Sequence, residues 1–255
     1  MLNANVDLEY LGQLKANFPK FFLAGADEVG RGPLAGQVVG ASALLFLEQE
    51  SAEEDLSLVV KGLRQIGVTD SKKLTDKKRK EILNLLGVDI RQLSIERAII
   101  ISLNKKIKII TCLDEVSAEC IDQINILNAA MQAMKNSFVR SWQTIGVNIP
   151  GILLIDGNRA FKLDSPEANL VSITPVVKGD AKSVLIGLAS ILAKVYRDEI
   201  FKALDLKYPG YDFAQNAGYP TAKHLGAIAS LGVTPIHRKT FRGVKEYVDD
   251  DGTRP

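Results

Sequence analysis

The segment FFLAGADEVGRGPLAGQVVGASALLF, from Phe21 to Phe46, constrains this chain more than any other. FFLAGADEV reads as a strand, and QVVGASALLF as a second β-rich run after a turn at Gly32-Pro33. Two adjacent acids, Asp27 and Glu28, end the first run, where they repel one another. Gly30, Gly32 and Gly36 follow, and each weakens any regular element it interrupts. On a regular strand the two acidic side chains point to opposite faces. Either the strand twists at Asp27, or Glu28 contributes differently, as through its backbone carbonyl. The glycines do not form a dinucleotide-binding fingerprint. That motif must open a helix, and Pro33 with the run beyond it does not.

Residues 48 to 55, EQESAEED, are polar and acidic and read as an exposed loop. TDSKKLTDKKRKEILNLLG then carries a helix signature: Thr75 caps it, Glu81 and Ile82 begin its amphipathic part, and Gly87 closes it. KIKIITCL suits a strand. From Ser117 onward, Ile121, Ile124, Leu127, Ala130, Met131 and Met134 recur at helical spacing. GILLIDGN is a short buried strand ending at Asp156. LVSITPVVKGD is another β-like run ending at Asp180, and its Pro175 argues against a central place in a sheet. SVLIGLASILAKVYRDEIFKAL is a long helix, and TAKHLGAIASLG a short one before a basic loop. Strands come early, then strand and helix mix, which predicts an α/β sheet covered by helices.

Three β-like runs therefore end in carboxylates. Ligands in α/β proteins gather beyond strand ends, so acids from neighbouring strands could converge there. Carboxylates without histidine or thiolate are hard oxygen ligands, suited to Mg²⁺ or Mn²⁺. Two such ions, roughly 4 Å apart, can activate a water and stabilise the leaving oxygen in phosphodiester hydrolysis. A cation would also offset the repulsion between Asp27 and Glu28. Bland readings compete. Taken singly, Asp156 and Asp180 are ordinary turn residues. His224 and His237 read as a helix-surface residue and a loop residue, without a metal-ligand partner at useful spacing. Cys112 and Cys120 lack CxxC spacing and read as buried structural thiols. KKLTDKKRK is by default a solvated helix face, whereas TDSKKL sets a hydroxyl and two lysines where a helix begins and can hold phosphate.

With 32 basic and 30 acidic residues, the net charge of +2 says little about partners, so a nucleic-acid reading rests on local patches. MLNANVDLEY lacks the basic and apolar regions of a secretory signal, and AIIISL is far too short to span a bilayer. A cytoplasmic protein with no membrane partner is expected.

GADEVGRGPLAG, TDSKKL, LLIDGN, VVKGD, ASILAKVYRD and GYPTAKH stand in the order found in type 2 ribonuclease H, the ribonuclease HII family. The chain resembles that family from about Phe22 to Phe241. The resemblance implies a ribonuclease H-like fold, a mixed five-stranded α/β sheet flanked by helices. It implies one catalytic domain over 1–255, with its core at about 20–200 and a C-terminal helical extension at about 201–245. The implied activity is hydrolysis of RNA in RNA–DNA hybrids and cleavage 5′ of a ribonucleotide embedded in duplex DNA, with Mg²⁺ or Mn²⁺. A monomer is expected.

Carried over by motif, Asp27, Glu28, Asp156 and Asp180 are the catalytic, metal-holding acids, which displaces the turn reading of the last two. Asp164 and Asp198 lie off the motifs. Gly30, Arg31 and Gly32 would read the ribonucleotide: bare glycines let the backbone reach its 2′-hydroxyl, and Arg31 is available for a flanking phosphate. Tyr219 would stack on the neighbouring sugar, and Lys72 and Lys73 would contact phosphate. Residues 46 to 68 look longer than the family usually has, and 86 to 114 align poorly. The type 3 family would show another residue in place of Arg31 and a large domain ahead of Asp27. A two-metal nuclease of the same fold acting on DNA junctions would keep the acids but need neither GRG nor Tyr219. A non-catalytic binding module would not need all four acids.

Overall fold

In the computed structural model, which describes residues 6–47, 53–95, 97–104, 106–146, 148–164 and 167–248, six strands form one mixed sheet. They are β1 (Phe22–Val29), β2 (Val38–Leu47), β3 (Ile99–Ser102), β4 (Ile107–Val116), β5 (Gly151–Asp156) and β6 (Val171–Val176). Their order across the sheet is β3-β4-β2-β1-β5-β6. β2 pairs antiparallel with β1 and β4, and β4 with β3, while β5 runs parallel to both β1 and β6. The sheet thus has one strand more than the expected five. The addition is β3, a short edge strand in the stretch that aligned poorly. β6 forms the other edge, where Pro175 disturbs no central ladder.

The helices are α1 (Val6–Asn17), α2 (Glu53–Gln65), α3 (Asp76–Leu85), α4 (Ala118–Ile124), α5 (Ile126–Thr144), α6 (Gly179–Lys182), α7 (Val184–Lys207), α8 (Phe213–Asn216) and α9 (Ala222–Leu231). The two-residue period of the strands sorts the core between them. Leu23, Val39, Ala41, Ala43 and Leu45 pack with α7 on one face of the sheet. Phe22, Ala24, Ala26, Leu44 and Phe46 pack with Met134, Phe138 and Trp142 of α5 on the other. α7 lies directly on β1, because a Cβ at Gly25 would stand 2.3 Å from the backbone nitrogen of Ile186.

Several local expectations hold. Thr75 caps α3 by accepting from the Lys78 amide at 3.2 Å. Others are corrected. The helix expected from Ser117 breaks at Asn125, which has φ 67 and caps the next helix through the Leu127 and Asn128 amides. Of the acidic loop at 48 to 55, residues 48–52 lie outside the described residues and Glu53 begins α2. Arg79 in KKLTDKKRK is buried, donating to the carbonyls of Ser71 and Leu74 and pairing with Asp198, so that face is not wholly solvated. Cys112 is buried as expected, but Cys120 is exposed.

α1 had no sequence expectation. Its buried Asp7 accepts from the Ser183 hydroxyl at 2.5 Å and the Val184 amide at 2.7 Å, which ties α1 to the start of α7. Beyond α7 a helical region builds a further apolar cluster from Leu34, Phe201, Tyr211, Phe213, Ile228 and Val244. Among the described residues, no helix is long and apolar enough to cross a membrane.

Candidate active site

β1 stays in register with β2 through Glu28↔Gly40 and Val29↔Val39, so the strand does not slip at its acids. The two carboxylates therefore leave it on opposite faces. Asp27 sits on the α7 side, buried, where it accepts from the Ser190 hydroxyl and from the Glu28 amide at 2.7 Å. Ser190 is held in turn by Ser71, hydroxyl to hydroxyl at 2.8 Å. The Ser71 side chain is thus turned inward, which leaves the lysines of TDSKKL as its solvent-facing groups. Glu28 lies on the α5 side, lining a groove with Arg31, Met131, Asp156 and Arg159. Arg31 Nη1 is 3.3 Å from its Oε1.

Because β1, β5 and β6 are parallel, their carboxyl ends share one edge of the sheet. Asp156 ends β5 and accepts from the Gly179 amide at 2.6 Å. Asp180 follows β6 in the α6 turn, which Lys178 enters with φ 57. Burial, then the charges of Glu28 and Asp156, hold the Asp27 carboxyl well above the usual range. Burial also raises Glu28, against the Arg31 guanidinium and with help from Asp156. Asp180 is pushed up to about 6 by burial, then by Asp156 and Asp70. The acids feel one another's charge, but no group of three or more His, Cys, Asp or Glu with metal-binding geometry forms among the described residues. Asp164 instead pairs with Lys135, and Asp198 with Arg79 and Lys194.

Lys72 faces this edge. Burial works against its ammonium, but the charges of Asp27, Asp180, Asp70 and Asp156 prevail and raise its pKa. Lys73 points away, 70% exposed and 4.0 Å from Asp70. Asp70 is a fifth acid that sequence reasoning missed. It caps the TDSKKL turn through the Lys72 amide at 2.9 Å, and its charge helps raise Asp180. The sequence signal was there, since Asp before a short turn is a common cap.

The glycines divide in purpose. Gly30 has φ +98, and a Cβ there would meet Arg197 Nε at 2.4 Å, so packing alone demands glycine. A Cβ at Gly32 would meet only the Tyr219 ring, Cε1 at 3.4 Å and Cδ1 at 3.9 Å. The bare backbone of Gly32 and the ring of Tyr219, a residue 41% exposed, thus lie side by side.

The sequence matches the Ribonuclease HII family description over residues 24–244, which spans every element from β1 to the C-terminal helical region. The chain belongs to the ribonuclease HII family. Its activity is that of a ribonuclease H, cleavage of RNA in RNA–DNA hybrids. The fold is similar to the crystal structure of ribonuclease H2 from Pyrococcus horikoshii OT3, with a TM-score of 0.55 and 23% identity over 89% of this chain and 96% of that one. It is also similar to a PCNA:RNase HII complex from Archaeoglobus fulgidus, with a TM-score of 0.55 and 22% identity over 87% and 95%. Bst-RNase HIII in complex with Mn²⁺ matches with a TM-score of 0.60 and 17% identity over 91% of this chain and 70% of that one.

Sequence reasoning also missed the two buried arginines that hold the GRG loop of this ribonuclease HII. Arg238 donates to the carbonyls of Gly30, Arg31, Pro33 and Gly36 at 2.6–3.1 Å. Arg197 donates to those of Ala35, Gln37 and Ala217, and stacks on Phe201. Burial lowers Arg197 to about 10 and, with the Arg197 charge adding to it, Arg238 to about 9; both remain cationic at neutral pH. The histidines are corrected too. His224 and His237 are both buried and face each other, Nε2 to Nε2, at 3.1 Å.

Proposed function

We propose that this ribonuclease H also cuts 5′ of single ribonucleotides embedded in duplex DNA, using two divalent cations held by Asp27, Glu28, Asp156 and Asp180. The observation that carries the reading is the meeting of Asp27, Asp156 and Asp180 at the shared carboxyl edge of three parallel strands, within reach of one another's charge. The residues fit such ions in kind. All are oxygen donors, which suit Mg²⁺ or Mn²⁺, and three have raised pKa values that a cation would relieve. Bound there, the ions would supply Lewis-acid catalysis to phosphodiester hydrolysis.

The chain's own residues do the rest. The Ser71–Ser190 pair fixes Asp27, and the Gly179 amide fixes Asp156. Lys72 tempers the negative edge, so that a phosphate can approach it, and Lys73 offers an outlying contact. Arg31 can release Glu28 for a flanking phosphate. The Gly32 backbone, free of a side chain, is open to the 2′-hydroxyl, and the Tyr219 ring beside it takes the neighbouring sugar.

The test is cleavage of duplex DNA carrying one ribonucleotide, with Mg²⁺, with Mn²⁺ and with chelator. A cut on the 5′ side that depends on metal is expected. Cleavage of long hybrids with none at the embedded ribonucleotide would remove the excision reading and leave the hybrid activity standing.

A further inference from the structure

The histidine pair lies directly behind Tyr219, and its hydrogen bonds leave one arrangement of protons. The Thr234 amide donates to His237 Nδ1 at 2.9 Å, so that nitrogen is an acceptor and the proton of His237 is on Nε2. That proton can only be given to His224 Nε2, 3.1 Å away. His224 therefore carries its own proton on Nδ1 and donates it to the Tyr219 carbonyl at 3.0 Å. The chain Thr234 → His237 → His224 → Tyr219 runs in one direction, with every member satisfied. Burial keeps both rings neutral at pH 7: it lowers His224, and it lowers His237 to about 4 with His224 adding to the effect. Tyr211 and Phe213 pack against both rings and hold them in place.

Tyr219 is 41% exposed, so much of its side chain lies outside the packed core. Its backbone is anchored instead. The Tyr219 amide donates to Asn216, and its carbonyl accepts from Thr221 and from His224. Buried groups also hold the residues just before it, Arg197 at the Ala217 carbonyl and the Leu34 amide at that of Gly218, but the His224 bond is the side-chain contact made to Tyr219's own carbonyl. We propose that the His224–His237 pair is a positioning device for Tyr219, setting the ring against Gly32 and so setting the preference for an embedded ribonucleotide over a long hybrid. The proposal rests on the reading of Tyr219 as the sugar platform.

Two isosteric variants separate positioning from packing. In His224→Asn the amide nitrogen replaces Nδ1 and still reaches the Tyr219 carbonyl. In His224→Gln the amide falls at the Nε2 position and meets His237, while the Tyr219 bond is lost. Each variant is compared with wild type by the ratio of kcat/KM on the single-ribonucleotide duplex to that on a long hybrid, alongside Tyr219→Ala. A fluorotyrosine placed at position 219 reports the ring directly by ¹⁹F NMR. His224→Asn is expected to keep both the ratio and the resonance. His224→Gln is expected to shift the resonance and lower the ratio toward that of Tyr219→Ala, a change of about tenfold. Identical behaviour of the two variants would overturn the positioning role, whatever Tyr219→Ala does. If His224→Gln moves the resonance while Tyr219→Ala leaves the ratio unchanged, positioning stands and the sugar-platform reading falls.

Discussion

Arg238 Nη2 donates to the Gly30 carbonyl at 2.6 Å, across 208 positions of sequence. The GRG loop is thus wrapped around a guanidinium from the C-terminal region, which fixes the loop before any substrate arrives. The same guanidinium reaches the carbonyls of Arg31, Pro33 and Gly36. A planar fork with five donors can serve four carbonyls at once, and a lysine ammonium cannot.

Arg238→Lys and Arg238→Met should therefore both destabilise the fold. Each buried carbonyl left without a donor costs about 1–3 kcal/mol, so Arg238→Met should lose at least about 4 kcal/mol and Arg238→Lys less. Urea denaturation measures it. A loss below about 1 kcal/mol in Arg238→Met would mean that the loop holds its shape without the arginine.

The acids should respond in the opposite sense. Asp27 sits where burial and the neighbouring acids resist its ionisation, so Asp27→Asn should leave stability unchanged or raise it. Cleavage should fall by at least about a thousandfold in Asp27→Asn and in Asp156→Asn, since the loss to metal-assisted chemistry is several kcal/mol. Substrate binding, which rests mainly on phosphate contacts, should survive. Asp180→Asn should be milder if that residue mainly positions the second ion. Near-normal turnover in Asp27→Asn would sink the assignment, and the thermal melt shows whether the variant is folded.

What was legible in the sequence followed from local pattern, and what was not depended on distant partners. The strands around Asp27 and Asp156 show in alternating or continuous apolar runs, and Pro175 correctly marked an edge. α2 carries Leu56, Val60 and Leu63 on one buried face, yet the acidic run that leads into its first turn suggested a loop. α1 gave no helical warning at all, although its Asp7 finds its partners at Ser183 and Val184, far along the chain. His224 read as a surface residue because the residue that buries with it, His237, is a loop position lying beyond the helix. Arg197 and Arg238 carry charges that ordinarily mark the surface; only the folded carbonyls around them explain their burial.

Asp7 makes stability fall as pH rises. Burial pushes its carboxyl up to about 6, against the Ser183 and Val184 hydrogen bonds that lower it. The folded state then binds more protons than the unfolded one between the unfolded value of 3.8 and about 6. Its contribution is full below the first value and is lost through the second, amounting to about 3 kcal/mol at most. Asp7→Asn should remove that share of the slope. Chemical denaturation of both proteins between pH 4 and pH 7 gives the comparison, and parallel curves would show that Asp7 does not titrate in this window.

Lys72 and Lys73 should part ways although they are neighbours in sequence. Lys73 is exposed, and on the proposed reading its charge meets an outlying phosphate, so Lys73→Ala should weaken binding of any hybrid or duplex about equally. It should also flatten the salt dependence by roughly one unit for the lost contact. Lys72 instead faces Asp27, Asp180, Asp70 and Asp156, and its charge lowers the pKa values of Glu28 and Asp180. Removing it leaves those carboxyls harder to ionise. Lys72→Ala should then move the acidic limb of the pH–rate profile to higher pH, an effect that Lys73→Ala lacks. The two measurements are the log–log salt slope of binding and the pH dependence of kcat/KM at one fixed salt concentration. A displaced acidic limb in Lys73→Ala, or an unmoved one in Lys72→Ala, would contradict this division of labour.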